Sequence, residues 1–293
     1  MDEAVYALLG GVLFGLFYAL LACGLNLTFG MQRVVNVAHG DVAMLGAFCA
    51  WEFYYSFHIN PLYAIPAVVL PAGAGGYLLY RLLSGRLRRG DDAELLSLIV
   101  FFGISQALEA IETFGFGNTQ RLLPEQVLAS KPVHFLGQTY PGAWWIAAAI
   151  SIPGLAAFLA YLYHTKLGRA TRAISADRDE AAAVGINVEH VSATSFGLGQ
   201  ALAAVAGVLS IFMIGGANPS GGLNVTLTAF AIILLGGLSS PFGAIAGGVI
   251  YGVLAQFATQ YAPSWSATVP YVVLLVIVVA RPAGILGRSA RHA

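Results

Sequence analysis

Residues 4–29 read A-V-Y-A-L-L-G-G-V-L-F-G-L-F-Y-A-L-L-A-C-G-L-N-L-T-F, without one charged side chain. About 20 consecutive apolar residues suffice for a helix to cross the hydrocarbon of a bilayer, so this stretch alone reads as a membrane span. Similar runs follow at 34–57, 62–83, 94–114, 142–163, 190–214, 224–238, 241–262 and 267–281. They predict an all-α, polytopic membrane protein, a single transmembrane domain over residues 1–293 with nine segments, eight or ten being the alternatives. The run 224–238 is short for a crossing and reads as a re-entrant half-helix. The run 34–57 is unbroken only from Val42 to Trp51, which predicts a helix broken near Gly40.

Composition agrees. Hydrophobic residues make up 58% of the chain and charged ones 10%, against about 25% charged in soluble domains. Net charge is zero, so nothing points to nucleic acid as a partner. The placement of charge says more, because basic residues collect on cytoplasmic loops. Arg81, Arg86, Arg88 and Arg89 follow the third run, Lys166, Arg169, Arg172 and Arg178 the fifth, and Arg281, Arg288 and Arg291 the last. Even numbers of crossings separate these clusters. The expected topology therefore has the N-terminus outside, the C-terminus and Arg33 inside, and the long 115–141 loop outside.

Among the 35 glycines, pairs such as Gly11/Gly15 and Gly243/Gly247 have the small-xxx-small spacing that lets membrane helices approach closely. Cys23 and Cys49 have no metal-ligand spacing and read as buried thiols, although L-L-A-C-G around Cys23 resembles a lipoprotein cleavage site. Two segments echo one another: G-D-V-A-M-L-G-A-F at 40–48 and L-N-V-T-L-T-A-F at 223–230. The spans before them run in opposite directions by the charge count. An inverted repeat has this form; chance similarity is the alternative.

The most informative polar stretch is residues 164–190. Ser175 or Asp177 can cap a short helix with Asp179 and Glu180 in its first turn, where the dipole favours negative charge, and Gly185 ends it as a left-handed cap. A solvated basic loop that merely fixes topology is the plainer reading. The sequence G-R-A-T-R-A-I-S-A-D-R-D-E-A-A-A-V-G-I-N resembles the E-A-A coupling loop of ABC importer permeases, and specifically that of the branched-chain amino acid (LivH-type) permeases. So do N-V-A-H-G-D at 36–41, L-L-G-G-L-S-S-P-F-G-A-I-A-G-G at 234–248 and R-P-A-G-I-L-G-R at 281–288. The I-x-L-P tail of the longer E-A-A form is missing.

The resemblance implies an inner-membrane subunit working with a second, LivM-type permease, two ATPase subunits and a periplasmic binding protein. Arg169, Arg172, Asp177, Glu180, Ala181, Ala182 and Gly185 would then couple it to the ATPase. The sequence lacks G-x-x-x-x-G-K-[S/T], so no cofactor is expected in this chain and ATP–Mg belongs to the partner subunits. No nucleophile–base pair or metal cluster stands out, so an enzyme is not expected. An autonomous channel or secondary transporter is the rival, and it needs no socket for an ATPase. Branched-chain or related amino acids are the expected cargo, with urea, short amides or aromatic acids as alternatives.

The polar residues within the apolar runs are candidates for the pathway or its gate: Asn36, His39, Gly40, Asp41, Glu109 and Gln200. Asp41 is expected to cap the helix running from Val42 to Trp51, with Asn36 and His39 on one helical face. Alternatively, His39 and Asp41 bond each other and only pin the break, and Arg33 places the stretch near the cytoplasmic side. Glu112 is expected to face water beside the 115–141 loop. Trp51, Phe53, Tyr54, Tyr55 and Phe57 read as an interfacial belt, and G-G-A-N-P-S-G-G at 215–222 as an outer turn open to a docking protein.

Overall fold

In a computed structural model, all residues are described except 1, 88–91, 125–126, 129–130, 282 and 288–293. Arg88, Arg89, Arg288 and Arg291 of the expected basic clusters lie outside the described residues, as does the side chain of Arg86. The helices are α1 (Asp2–Leu25), α2 (His39–Tyr55), α3 (Ala64–Leu87), α4 (Ala93–Phe116), α5 (Gly142–His164) and α6 (Lys166–Ala176). They continue as α7 (Arg178–Ala183), α8 (Val188–Met213), α9 (Gly222–Gly236), α10 (Pro241–Tyr261) and α11 (Val269–Ala280). A small hairpin, β1 (Val133–Phe135) with β2 (Gln138–Tyr140), interrupts the α4–α5 connection.

Each of the nine expected segments contains a helix. Eight helical stretches are long and apolar enough to cross a membrane. The ninth, α2, has 17 residues, about 26 Å at 1.5 Å per residue, against about 30 Å of hydrocarbon. A non-helical segment, residues 33–38, precedes it and makes up the difference. The Val35 amide donates to Ser97 Oγ (3.0 Å) near the start of α4, whereas Phe48 stacks on Phe116 at its end. Twelve residues of α4 separate Ser97 from Glu109, about 18 Å of rise, and Asp41 faces Glu109. The chain therefore climbs well into the bundle before α2 begins, and Asp41 lies deep rather than near the Arg33 end.

Residues His58, Ile59 and Asn60 meet Pro124 and Val127 in a shared pocket at one end of the bundle, where Tyr140 also stacks on Tyr6. At the opposite end Gly30–Arg33 lies against Ile174–Asp179 and Ser239. Helix α1 runs from the first end to the second, and α8 runs the other way. The packing repeats this reversal: α1 is packed most extensively on α10, and α3 on α8. Exchanging α1 with α8 and α3 with α10 converts one contact into the other, as an inverted repeat of α1–α4 and α8–α11 requires.

Glycine makes the α1–α10 contact. A Cβ on Gly15 would meet Val249 Cα at 2.6 Å, and one on Gly248 would meet Ala19 Cα at 2.5 Å. The partner contact uses Gly197 of α8, whose added Cβ would lie 2.5 Å from the Gly73 carbonyl oxygen of α3. With no hydrophobic drive between helices in lipid, close backbone approach supplies the dispersion energy that holds these pairs.

Candidate functional site

The half-helices α2 and α9 begin side by side in the interior and run in opposite directions. Thr226 of α9 joins them. Its hydroxyl donates to the Val37 carbonyl (2.7 Å) and accepts from the Gly40 amide (2.8 Å). The cap of α2 thus comes from another helix. Asp41 does not provide it, because the helix starts two residues earlier, at His39, with Ala38 at the N-cap position. The Asp41 carboxylate instead lies against Gly222, where any Cβ would collide with Oδ1. It therefore faces the first turns of both helices, whose dipoles favour an anion. Gly40 is as tightly held, against the Gly222 carbonyl.

Asn36 and His39 do not share a helical face, since Asn36 belongs to the non-helical segment. His39 turns to α1, its Nε2 hydrogen-bonded to the Leu21 carbonyl oxygen (3.1 Å), and does not bond Asp41. Asn36 turns to a cavity of about 550 Å³ between α2, α3, α4 and α8. Gln200 of α8 enters the same cavity. Both amides are buried, and neither has a hydrogen-bond partner at its side-chain oxygen or nitrogen. Otherwise the walls are apolar, with Val42, Leu45, Ile104 and Leu108 among them. A buried amide left unpaired costs about 1–3 kcal/mol, so this cavity is built to meet a polar ligand or water.

Beside it, α4 presents Ser105, Glu109 and Glu112 on one face, spaced four and three residues apart. This corrects the expectation for Glu112. It is fully buried and faces Asp41 and Glu109, while Glu109 is half-buried and accepts from Gln106 Nε2 (3.4 Å). Helical spacing turns Glu112 inward with Ser105. The run 215–222 is also not a simple open turn. Ala217 pairs with Arg121, Pro219 and Gly222 are buried, and the Pro219–Gly221 turn rests on α4.

At the other end, residues 164–190 form two helices rather than one. Thr165 caps α6 through Gly168 N (2.9 Å). The hydroxyls of Tyr161, Thr171 and Ser195 lie 2.8–3.0 Å apart and fasten α6 to α5 and α8. Asp177, not Ser175, caps α7, accepting from the amides of Asp179 (2.9 Å) and Glu180 (2.8 Å). Gly185 ends it at φ +85°, with Ile186 N bonded back to Ala181 O (3.1 Å). Arg169, Asp177, Glu180, Ala182 and Gly185 are exposed, and so is Val184 beside them. Ala181 is buried against Ile174, Val188 and Val191. Arg172 is turned inward, donating to the Leu162 carbonyl (3.2 Å) and stacked over Tyr163.

A polytopic bundle with two interior helix starts, a cavity between α2, α3, α4 and α8 and a capped helical platform at one end defines a membrane permease. Residues 7–278 match the family described as branched-chain amino acid transport system / permease component, and the chain belongs to that family. It is 30% identical to the high-affinity branched-chain amino acid transport system permease protein LivH of Salmonella typhimurium, over 95% of this chain and 94% of that one. It is equally similar to BraD, of the same description, from Pseudomonas aeruginosa, over 96% and 95% of the two chains. The ribose import permease protein RbsC of Escherichia coli is 24% identical over 82% of this chain and 72% of the relative. Among solved structures, PsaBC from Streptococcus pneumoniae in complex with Fab has a TM-score of 0.51 at 13% identity, over 94% and 92% of the chains. That last likeness is one of fold alone. The relatives are transport permeases, not enzymes.

Proposed function

We propose that this chain is an inner-membrane permease subunit of a binding-protein-dependent importer for branched-chain amino acids. A second, similar permease completes the pathway, a periplasmic protein delivers the substrate, and two separate subunits bind and hydrolyse ATP–Mg. The observation that carries the substrate class is the similarity to LivH and BraD along almost the whole of all three chains. The interior supports it, because an apolar cavity with two unpartnered amides suits a ligand that has a greasy side chain and a polar head. Transporters built from inverted repeats place binding sites where discontinuous helices meet at membrane depth, and α2 and α9 begin side by side in the interior.

In this reading the platform α6–α7 faces the cytoplasm and seats in the ATPase. Its support is the exposed Glu180 and the exposed run from Ala182 to Gly185, carried on a helix that Asp177 caps and Ala181 seats on the bundle, a shape that transmits force. Arg169 and Asp177 flank the seat, whereas Arg172 and Ala181 hold it to the bundle.

The test is uptake of labelled leucine into vesicles containing the chain, its partner permease, the ATPases and the binding protein. Uptake that requires ATP and the binding protein is expected. Leucine flux through the permeases alone would overturn the importer in favour of a channel or secondary carrier.

A further inference from the structure

Asn36 and Gln200 are two carboxamides that the chain buries and leaves unanswered. They are 1% and 4% exposed, and neither has a hydrogen-bond partner at its side-chain oxygen or nitrogen. Both face the cavity of about 550 Å³ between α2, α3, α4 and α8. The backbone around them sets their aim. Asn36 stands two residues before Ala38, the N-cap of α2, which lines the same cavity. The stem of Gln200 lies against Gly76 of α3, where an added Cβ would come within 2.7 Å of its Cγ. Small residues hollow the wall: Gly75 lines it, and a Cβ added there meets nothing within 4 Å.

Space between membrane helices does not by itself call for amides. The pocket of about 410 Å³ between α9, α10 and α11, with Leu235, Leu254 and Val276 in its walls, has no carboxamide or charged side chain. A hydrocarbon chain satisfies such a groove, but it cannot answer buried donors and acceptors, which are costly when left alone. Each amide of Asn36 and Gln200 offers both a carbonyl oxygen and an NH2 group, so the matching ligand must donate and accept. Among the described residues no Asp, Glu, His, Lys or Arg lines their cavity, so the match carries no net charge. Val42, Leu45, Ile104 and Leu108 then give it an apolar bed. A zwitterionic amino acid with an aliphatic side chain meets every one of these conditions. Its ammonium group donates to the carboxamide oxygens, and its carboxylate accepts from their NH2 groups. We propose that this cavity is a substrate site inside the single subunit, where Asn36 and Gln200 hold the two charged groups of the amino acid and select for zwitterions. The proposal rests on the importer reading above and adds a second point of selection to the periplasmic protein.

Cys49 reports on the site, because it lines the cavity and is half-buried, whereas Cys23, in α1, is fully buried. Its alkylation by N-ethylmaleimide is followed by mass spectrometry in the complex with partner permease and ATPases, without binding protein, with and without ATP. L-Leucine should slow the reaction. 3-Methylbutylamine and 4-methylpentanoate, which keep the side chain but carry net charge, should protect about tenfold more weakly. Gln200→Met, of equal length, should raise the half-protecting leucine concentration about tenfold, as loss of one bond to a charged group does. Gly75→Leu, which fills the cavity, should abolish protection. Neither variant should melt at a lower temperature, since one removes an unpaired amide and the other enters open space. No slowing by leucine in either nucleotide state would overturn the site, as would equal protection by the amine or the acid. A lower melting temperature with unchanged protection in Gln200→Met would make Gln200 structural and overturn its role. Leucine uptake with binding protein present, measured in parallel, separates the two ideas. Uptake without protection removes the cavity site and keeps the importer. Protection without ATP-dependent uptake keeps the site and removes the importer.

Discussion

At the scale of single residues, the decisive contact is one hydroxyl. Thr226 holds the start of α2 by bonding both Val37 O and Gly40 N. Thr226→Val preserves shape and removes both bonds, leaving a buried donor and acceptor unpaired, at a cost of about 1–3 kcal/mol. The melting temperature of the purified protein should fall by several degrees, and Thr226→Ser should restore it. An unchanged melt in the valine variant would show that α2 begins without this bridge. Gly40→Ala is expected to do more damage, because its methyl group runs into the Gly222 carbonyl. Folded yield after size exclusion should be lower than for Thr226→Val, and equal yields would mean the α2–α9 contact gives way easily. The break at Gly40 was legible as polar residues in an apolar run. Its cap was not, since the partner lies 186 positions away, and a local reading assigns the cap to the nearest acid, Asp41. Glu112 was misjudged for a related reason: closeness to the end of a span says nothing about which face of the helix is covered.

At the scale of elements, α7 was legible nearly in full, because caps are local. Asp177 two residues before Asp179, and glycine after an alanine run, are short-range signals that tertiary packing left intact. Helix α6 was not, since its basic residues read as loop and its anchors, Tyr161, Thr171 and Ser195, are scattered along the chain. The turn at Gly185 is the element's weak point for function. At φ +85° any other residue pays about 1–2 kcal/mol, but nothing lies within 4 Å of an added Cβ. Gly185→Ala therefore strains the turn without a clash, and Gly185→Asp adds charge at the negative end of α7. Both variants should insert and assemble. Stimulation of ATP hydrolysis by the loaded binding protein should be reduced in the alanine variant and lost in the aspartate variant. Full stimulation with aspartate would remove the coupling role from this turn.

At the scale of the molecule, the open question in the sequence was whether the interrupted stretch after Arg33 crosses the membrane, and the inverted repeat depends on the answer. Taken alone, α2 is too short. Together with the non-helical residues 33–38 it connects the end that holds Gly30–Arg33 to the end where His58–Asn60 meets Pro124 and Val127. A non-helical crossing segment is tolerated because residues 34–38 pack inside the protein and backbone groups find partners there, the Val35 amide on Ser97 and the Val37 carbonyl on Thr226. If so, α1 and α2 form a complete hairpin across the bilayer, and α8 with α9 forms its upside-down counterpart. The arginine clusters predict that Phe57 and Leu136 then lie outside and Ala182 in the cytoplasm. All three positions are exposed. Single cysteines there, in a chain with Cys49 replaced by alanine and Cys23 left buried, should accept an impermeant maleimide from opposite sides: Phe57→Cys and Leu136→Cys from outside, Ala182→Cys only in inverted vesicles. Labelling of positions 57 and 182 from the same side, with 136 opposite, would mean that residues 33–55 enter and return without crossing. The repeat would then fail, since α9, its counterpart, leaves the interior at the end opposite to its approach.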